Sequence, residues 1–222
     1  MIYAILPVLF LLGVFLAMLW ERSQWGVCSL RTRLDGKAVI VTGGNVGLGA
    51  QTGLKLAGRG ATVVLACRSE ERGQRTVDWI KKKTGNEDVH YKHLDLASFQ
   101  SVRGFAREVL EEYPSISCLV CNAGVAFPME LQEKTDLGLE IHAAVNHLGH
   151  FLLTNLLIDG NHHHPWRTDR LLRVVMVASH LASQAQLDFD KFDHFKEGRQ
   201  SPTKSLAPTG YCDSKLMNIL FR

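Results

Sequence analysis

The sequence has no internal repeat and no low-complexity tract, and it carries little net charge: 25 Lys and Arg against 22 Asp and Glu, a formal +3 over 222 residues. So mild a balance, with the basic residues dispersed, excludes the concentrated positive face that nucleic acid requires. Cysteine is scarce and odd in number, five in all, and no Asn-x-Ser/Thr acceptor occurs. Both absences agree with a reducing compartment rather than a disulfide framework. Cys118 and Cys121 form a C-x-x-C, but within an apolar run that reads as a strand, where residues three apart point to opposite faces. Buried structural thiols are the reading that follows. The histidine group Asn161-His162-His163-His164-Pro165-Trp166 has no Cys or carboxylate cluster beside it, so it reads as a solvated loop and not as a metal site. There is no length for a second enzymatic domain.

What the chain does have begins at its N-terminus. Ile2 to Trp20 is uncharged and dominated by Leu, Val, Phe, Ile and Ala, a run of about 28 Å if helical and so long enough for a bilayer. A cleavable signal peptide is the competing reading, but no Lys or Arg precedes the apolar run and no small-x-small site precedes Glu21. The expectation is an uncleaved transmembrane anchor at 1–20, with Pro7 tolerated and Trp20 and Trp25 at the interface. Arg22, Arg31, Arg33 and Lys37 follow it, which directs the body to the cytoplasmic side.

After a linker at 21–36 the chain alternates apolar runs with amphipathic stretches, the pattern of a parallel sheet covered by helices. The runs predict strands at Ala38 to Thr42, Thr62 to Cys67, Val89 to Leu94, Ile116 to Cys121 and Arg173 to Ala178. Helices are predicted at Val46 to Gly58, Glu70 to Thr84, Ser98 to Tyr113, Leu137 to Leu157 and from Thr209 to the end.

Two motifs carry chemistry. Between the first strand and first helix of the sheet region lies Thr42-Gly43-Gly44-Asn45-Val46-Gly47-Leu48-Gly49. Glycines there permit positive φ and let backbone approach a pyrophosphate at the start of a helix. Downstream, Tyr211-Cys212-Asp213-Ser214-Lys215 places a phenol and an ammonium four residues apart on one helical face. An ammonium beside a phenol favours the phenolate, which makes Tyr211 a usable proton donor near neutral pH.

The glycine spacing, looser than G-x-G-x-x-G, resembles that of the short-chain dehydrogenases/reductases. Ala66-Cys67-Arg68-Ser69, Leu94-Asp95-Leu96-Ala97-Ser98, Cys121-Asn122-Ala123-Gly124-Val125 and Val145-Asn146-His147-Leu148-Gly149-His150-Phe151 resemble the same family, and specifically its retinol-dehydrogenase-like branch. The resemblance covers roughly 37–222. It implies a Rossmann-type doubly wound parallel sheet and a dinucleotide held by Thr42, Gly43, Asn45, Val46, Gly47, Leu48, Gly49, Arg68, Asp95, Leu96, Asn122, Ala123, Gly124, Tyr211 and Lys215. Asp95 would contact the adenine, and Asn122 would hold the central strands beside the cofactor. The family's acidic position at the end of the second strand holds Cys67, with Arg68 following, which favours NADP(H) over NAD(H); a solvated Arg68, like nearby Arg72 and Arg75, is the plain alternative. Catalysis would fall to Tyr211, with Lys215 lowering its pKa and holding the nicotinamide ribose, Ser179 steadying the substrate oxygen and Asn146 holding a water in a proton relay. Ser179 and Asn146 also read as cap and intrahelical residues.

The function implied is interconversion of a lipophilic alcohol and its carbonyl, retinol and retinal foremost, at a membrane. That membrane would be the endoplasmic reticulum with the domain facing the cytosol, or alternatively the mitochondrial one; a homo-oligomer is left open. The long connection from Ser179 to Tyr211, with Phe189, Phe192 and Phe195, reads equally as an apolar substrate wall or a solvated loop. The family continues beyond the Tyr211 helix with two more strands and a substrate-covering segment. The domain at 37–222 therefore reads as C-terminally incomplete, a fragment or a shortened isoform, with its fifth strand at a sheet edge. The alternative function is a catalytically silent nucleotide-binding or interaction protein.

Overall fold

The computed structural model describes residues 2–23, 26, 28, 30, 32–113, 115–127, 133–163, 172–187 and 209–221. The chain divides into two compact units, Met1–Thr32 and Arg33–Arg222. The first contains helix α1, Ile2–Ser23, whose side chains from Phe10 to Ser23 are all exposed. Among the described residues no helix is long and apolar enough to cross a membrane, so the structure supplies a helix at the expected place but not the predicted span. Side chains of residues 2–6, 8 and 9, and Trp25, lie outside what is described.

The second unit is an α/β layer fold. Strands β1 (Ala38–Thr42), β2 (Thr62–Cys67), β3 (Val89–His93), β4 (Ile116–Cys121) and β5 (Arg173–Met176) form one sheet, all parallel, in the order β3-β2-β1-β4-β5. Every residue of β1 is buried, because a parallel strand with helices on both faces reads as an unbroken apolar run. Alternate side chains then serve two cores. Val39, Val41, Val63 and Leu65 pack with Val77 and Ile80, from the side of α2 (Gly47–Ala57) and α3 (Glu70–Thr84). Ile40, Val64 and Leu119 pack with Phe105, Leu153 and Leu157, from α4 (Phe99–Glu112) and α5 (Gly149–His163). Side chains of this kind contribute roughly 1.5–3 kcal/mol each when fully buried. The C-x-x-C follows the same rule: Cys121 joins the second core and Cys118 the first, both as free thiols raised by burial, Cys121 to about 12.

Local chemistry sets the ends of elements. Ser69 caps α3 by accepting from the Arg72 amide, and Gly85 closes it at φ 68°. Lys92 of β3 pairs with Glu108 and Glu112 of α4 at 2.6 and 2.5 Å.

One predicted helix requires correction. Leu137 to Leu157 is not continuous: Lys134 and Glu140 form an isolated antiparallel bridge around Gly138 at φ 73°, and only then does a π-helical turn, Ala143–Leu148, lead into α5. The histidine group is also changed, since α5 carries the backbone through His162 and His163; His164 to Trp166 lie outside the described residues, as do Phe189, Phe192 and Phe195. After β5 come a 3-10 turn, His180–Gln184, and helix α6, Thr209–Leu220.

Candidate active site

The sheet grows from β1 outward through β2 and β3, then the chain crosses back to place β4 on the other side of β1. Ligands of open parallel sheets bind at that reversal, beyond the carboxyl ends of the strands. A cleft of about 410 Å³ opens there, and Gly43, Asn45 to Leu48, Ala66 to Ser69, Arg72, Leu94 to Leu96, Asn122 to Val125 and Val145 line it.

The glycine turn is shaped by close approach. Gly43 takes φ 63°, and a Cβ there would stand 2.8 Å from the Ala123 Cα. A Cβ on Gly49 would strike the Gly43 carbonyl and come within 2.6 Å of Asn122 Nδ2, so α2 sits tight against the turn. No side chain caps α2, whose N-cap residue is Val46. Its N-terminal amides thus give the cleft an anion-accepting end.

Thr42 lies beneath the cleft, fully buried. Its hydroxyl accepts from the Asn122 and Ala123 amides, each at 3.0 Å, while Asn122 Nδ2 donates to the Thr42 carbonyl at 2.9 Å. His150 completes the knot. Its Nδ1 meets the Asn146 carbonyl at 3.1 Å, which requires a proton on Nδ1 and leaves Nε2 to accept from the Thr42 hydroxyl at 2.8 Å. With no solvent contact, burial lowers the His150 pKa to about 4. Thr42 and Asn122 therefore tie β1 to β4, and the loop that forms the cleft wall hangs from that tie.

At the β2 end, Cys67 is buried, and its thiol lies 3.5 Å from the Ser69 carbonyl. Arg68 and Arg72 are exposed and line the cleft. Asp95 accepts from the Ala97 amide at 3.0 Å, and buried Leu96 forms part of the wall.

Asn146, Tyr211 and Lys215 come together on the far side. Asn146, fully buried in the π-helical turn, accepts from the Val125 amide at 2.7 Å and donates to the Val125 carbonyl and to Ser214 Oγ, each at 3.0 Å. Such turns recur at functional positions because the wider ring redirects a side chain. The Lys215 Nζ lies 5.7 Å from the centre of the Tyr211 ring and donates to the Val177 carbonyl at 3.0 Å; burial lowers its pKa. A Cβ on Gly124 would approach Asn146 Oδ1 at 3.2 Å and Lys215 Nζ at 3.4 Å, so these groups border the inner end of the cleft wall. Ser179 follows β5 and caps the 3-10 turn, accepting from the Leu181 amide at 3.3 Å.

Several residues here escape the sequence reading. Ser214 and Asn218 lock α6 to the π-helical turn, Asn218 Nδ2 donating to the Asn146 carbonyl at 3.2 Å; their i, i+4 spacing on the Tyr211 helix was the available signal. Arg72, read as an ordinary exposed arginine, is in the lining one helical turn after the strand end. Glu140 and His142 are joined by a hydrogen bond of 2.5 Å beside Tyr211, and nothing in their spacing marks them.

Residues 37–207 match the short chain dehydrogenase family. Among curated proteins, the chain is 41% identical over 197 residues to human retinol dehydrogenase 13, covering 88% of this chain and 55% of that protein. It is 42% identical over 196 residues to human retinol dehydrogenase 11, covering 88% and 57%. To dehydrogenase/reductase SDR family member 13 of Bos taurus it is 38% identical over 211 residues, covering 95% and 52%. The chain thus spans just over half the length of these relatives. Among solved structures, a Mycobacterium paratuberculosis protein matches with TM-score 0.69 and 33% identity over 89% of this chain and 63% of its own. A short-chain type dehydrogenase/reductase from Mycobacterium marinum has the same fold, with TM-score 0.63 and 21% identity over 85% and 67%.

Proposed function

The chain belongs to the short-chain dehydrogenase family, among its retinol-dehydrogenase-like members, and from that premise we propose that it is an NADP(H)-dependent oxidoreductase interconverting a lipophilic alcohol and its carbonyl. The observation that carries the reading is the meeting of Tyr211, Lys215 and Asn146 at the inner end of a cleft whose other end presents an uncapped helix N-terminus. The Gly43 to Gly49 turn and the first amides of α2 suit a pyrophosphate. Arg68 and Arg72 suit an additional phosphate on the adenosine ribose, and Asn122 to Gly124 would bound the nicotinamide side. When bound, the dinucleotide supplies or accepts the hydride.

The chain's own residues handle the proton. Tyr211 delivers it to the oxygen of the carbonyl as that oxygen gains negative charge, and removes it in the reverse direction. Lys215 Nζ, 5.7 Å from the centre of the Tyr211 ring, places a cation beside the phenol that moves the proton. Asn146, with both side-chain ends bonded, holds Val125 and Ser214 at fixed distance from one another, and Ser179 orients the carbonyl oxygen from the end of β5. The exposed apolar side chains of α1 suit attachment to a lipid phase where such substrates partition, the endoplasmic reticulum being the first location to examine.

The test is to purify the chain in detergent and follow NADPH absorbance with all-trans-retinal, beside Tyr211→Phe. Removing a general acid lowers turnover by about 10²–10⁴-fold, with NADPH affinity retained. Equal turnover by both proteins would overturn the assignment of Tyr211, and NADPH binding without turnover would mark a silent nucleotide-binding protein.

A further inference from the structure

Beside the Tyr211–Lys215 pair, and outside the cleft and the Thr42–Asn122 knot, lies a polar pair that neither accounts for: Glu140 and the buried His142. Glu140 precedes the π-helical turn, and its Oε2 accepts from the Ala143 amide at 2.8 Å, as a carboxylate at a helix start does. That accounts for one oxygen. The other meets His142 Nδ1 at 2.5 Å, and His142 Nε2 accepts from the Phe127 amide at 2.9 Å. Because an N–H points at Nε2, its lone pair is there and the ring proton is on Nδ1, donated to Glu140. Both nitrogens are committed, so the ring plane is fixed. Burial opposes the charge on Glu140, but the bonds from His142 and from the Ala143 and His142 amides outweigh it and hold the carboxyl below its ordinary range.

The fixed ring has neighbours on two sides. Tyr211 meets it edge to face, centroids 6.3 Å apart at 84°, and Phe127 lies 6.1 Å away. One residue before Tyr211 on α6, a Cβ at Gly210 would come within 2.8 Å of the Glu140 carboxylate, so the helix backbone rests on the pair. Phe127 leaves the loop after β4 and is 84 residues from Tyr211 in sequence, counting 211 minus 127; the imidazole is what lies between them. We infer that the Glu140–His142 pair is a positioning device which fixes the Phe127 segment relative to Tyr211, making Phe127 an apolar wall that selects long carbonyl substrates. This rests on the reading of Tyr211 as proton donor. It adds the means by which substrate size is sensed, and His142 acts through Phe127 and Tyr211 rather than on the reacting atoms.

The discriminating variants are His142→Ala and His142→Gln, since a glutamine carbonyl can accept from the Phe127 amide where alanine cannot. Each is compared with the parent chain for all-trans-retinal and for propanal, which is too short to need a distal wall. His142→Ala lowers kcat/KM for retinal about tenfold relative to propanal, as loss of one positioning contact does, with NADPH affinity within about twofold; His142→Gln restores most of the ratio. A parallel fall for both aldehydes, or no recovery in His142→Gln, overturns the inference. Amide hydrogen exchange at Phe127 reads the same device without turnover: slow in the parent and in His142→Gln, fast in His142→Ala. If the parent binds NADPH and reduces neither aldehyde, the oxidoreductase reading falls, and equal Phe127 exchange in all three proteins then sinks the positioning role as well. Should His142→Ala fail to fold, Glu140→Ala provides the second variant, expected to free the ring and accelerate Phe127 exchange; unchanged exchange there counts against the pair.

Discussion

His150 shows how one side chain couples the cleft to pH. Its two bonds need a neutral ring with the proton on Nδ1, and complete burial holds the pKa near 4 against about 6.5 in an unfolded chain. Above pH 6.5 neither state is charged, and the histidine contributes no slope. Between 6.5 and 4 the unfolded chain takes up a proton that the folded protein refuses, so stability falls with acidification by about 2 kcal/mol at pH 5 and about 3 at pH 4, and no further below. Denaturant melts of the parent and of His150→Asn across this window should differ in slope, the variant being flatter; equal slopes would remove His150 as the cause. Arginine on the opposite wall permits a different measurement. If Arg68 and Arg72 hold a ribose phosphate, Arg68→Ala weakens NADPH binding about tenfold, the lower end for a charge-assisted hydrogen bond at an exposed position, and leaves NADH nearly unchanged. Fluorescence titration with the two nucleotides distinguishes this from a general loss of the cleft, which weakens both.

Two glycines in helices separate propensity from packing. Gly104 lies inside α4 with nothing within 4 Å of a prospective Cβ, whereas Gly49 lies in the first turn of α2 against the Gly43 carbonyl and Asn122. Alanine is the better helix former by about 1 kcal/mol at an interior position. Thermal melts should therefore show Gly104→Ala stabilised by about 0.5–1 kcal/mol. Gly49→Ala should instead be destabilised by about 1–3 kcal/mol, as overpacked sites are, with reduced NADPH binding; a gain at both positions would mean that the α2 contact yields easily. The same contrast explains what was legible in the sequence. Strands β1, β2 and β4 matched their predicted bounds because burial on both faces leaves apolar runs that need no partner to recognise. Helix α3 was equally clear, with its serine cap and its glycine terminus. The predicted helix from Leu137 begins only at Ile141, because the Lys134–Glu140 bridge around Gly138 occupies the residues before it, and its π-helical turn rests on Asn146 reaching Val125, a contact 21 residues away; helical periodicity encodes neither. Thr42 read as a ligand contact because a polar residue before a glycine turn has the same appearance whether it faces a pyrophosphate or ties two strands. Phe127 and His142 were overlooked because their meaning lies in the ring between two distant segments.

At the scale of the whole molecule, α1 belongs to one compact unit and the cleft to another. Phe10 is 71% and Trp20 69% exposed on α1, and Leu11, Phe15, Leu16 and Met18 are exposed with them. Apolar side chains displayed together in this way mark a surface that meets lipid or protein. A lipid contact predicts that the full chain floats with neutral phosphatidylcholine vesicles in a density gradient, and remains with them in high salt, since a net charge of +3 gives electrostatics little part in the attachment. Phe15→Asp with Leu16→Asp should release it, each aspartate costing roughly 2.5–3.5 kcal/mol at the centre of an inserted helix and less at an interface. Because both positions lie in the first unit and the cleft lies wholly in the second, the released protein should bind NADPH as the parent does. Flotation unchanged by the two aspartates would assign the apolar side chains of α1 to a protein contact instead, and release accompanied by lost NADPH binding would mean that the two units depend on one another.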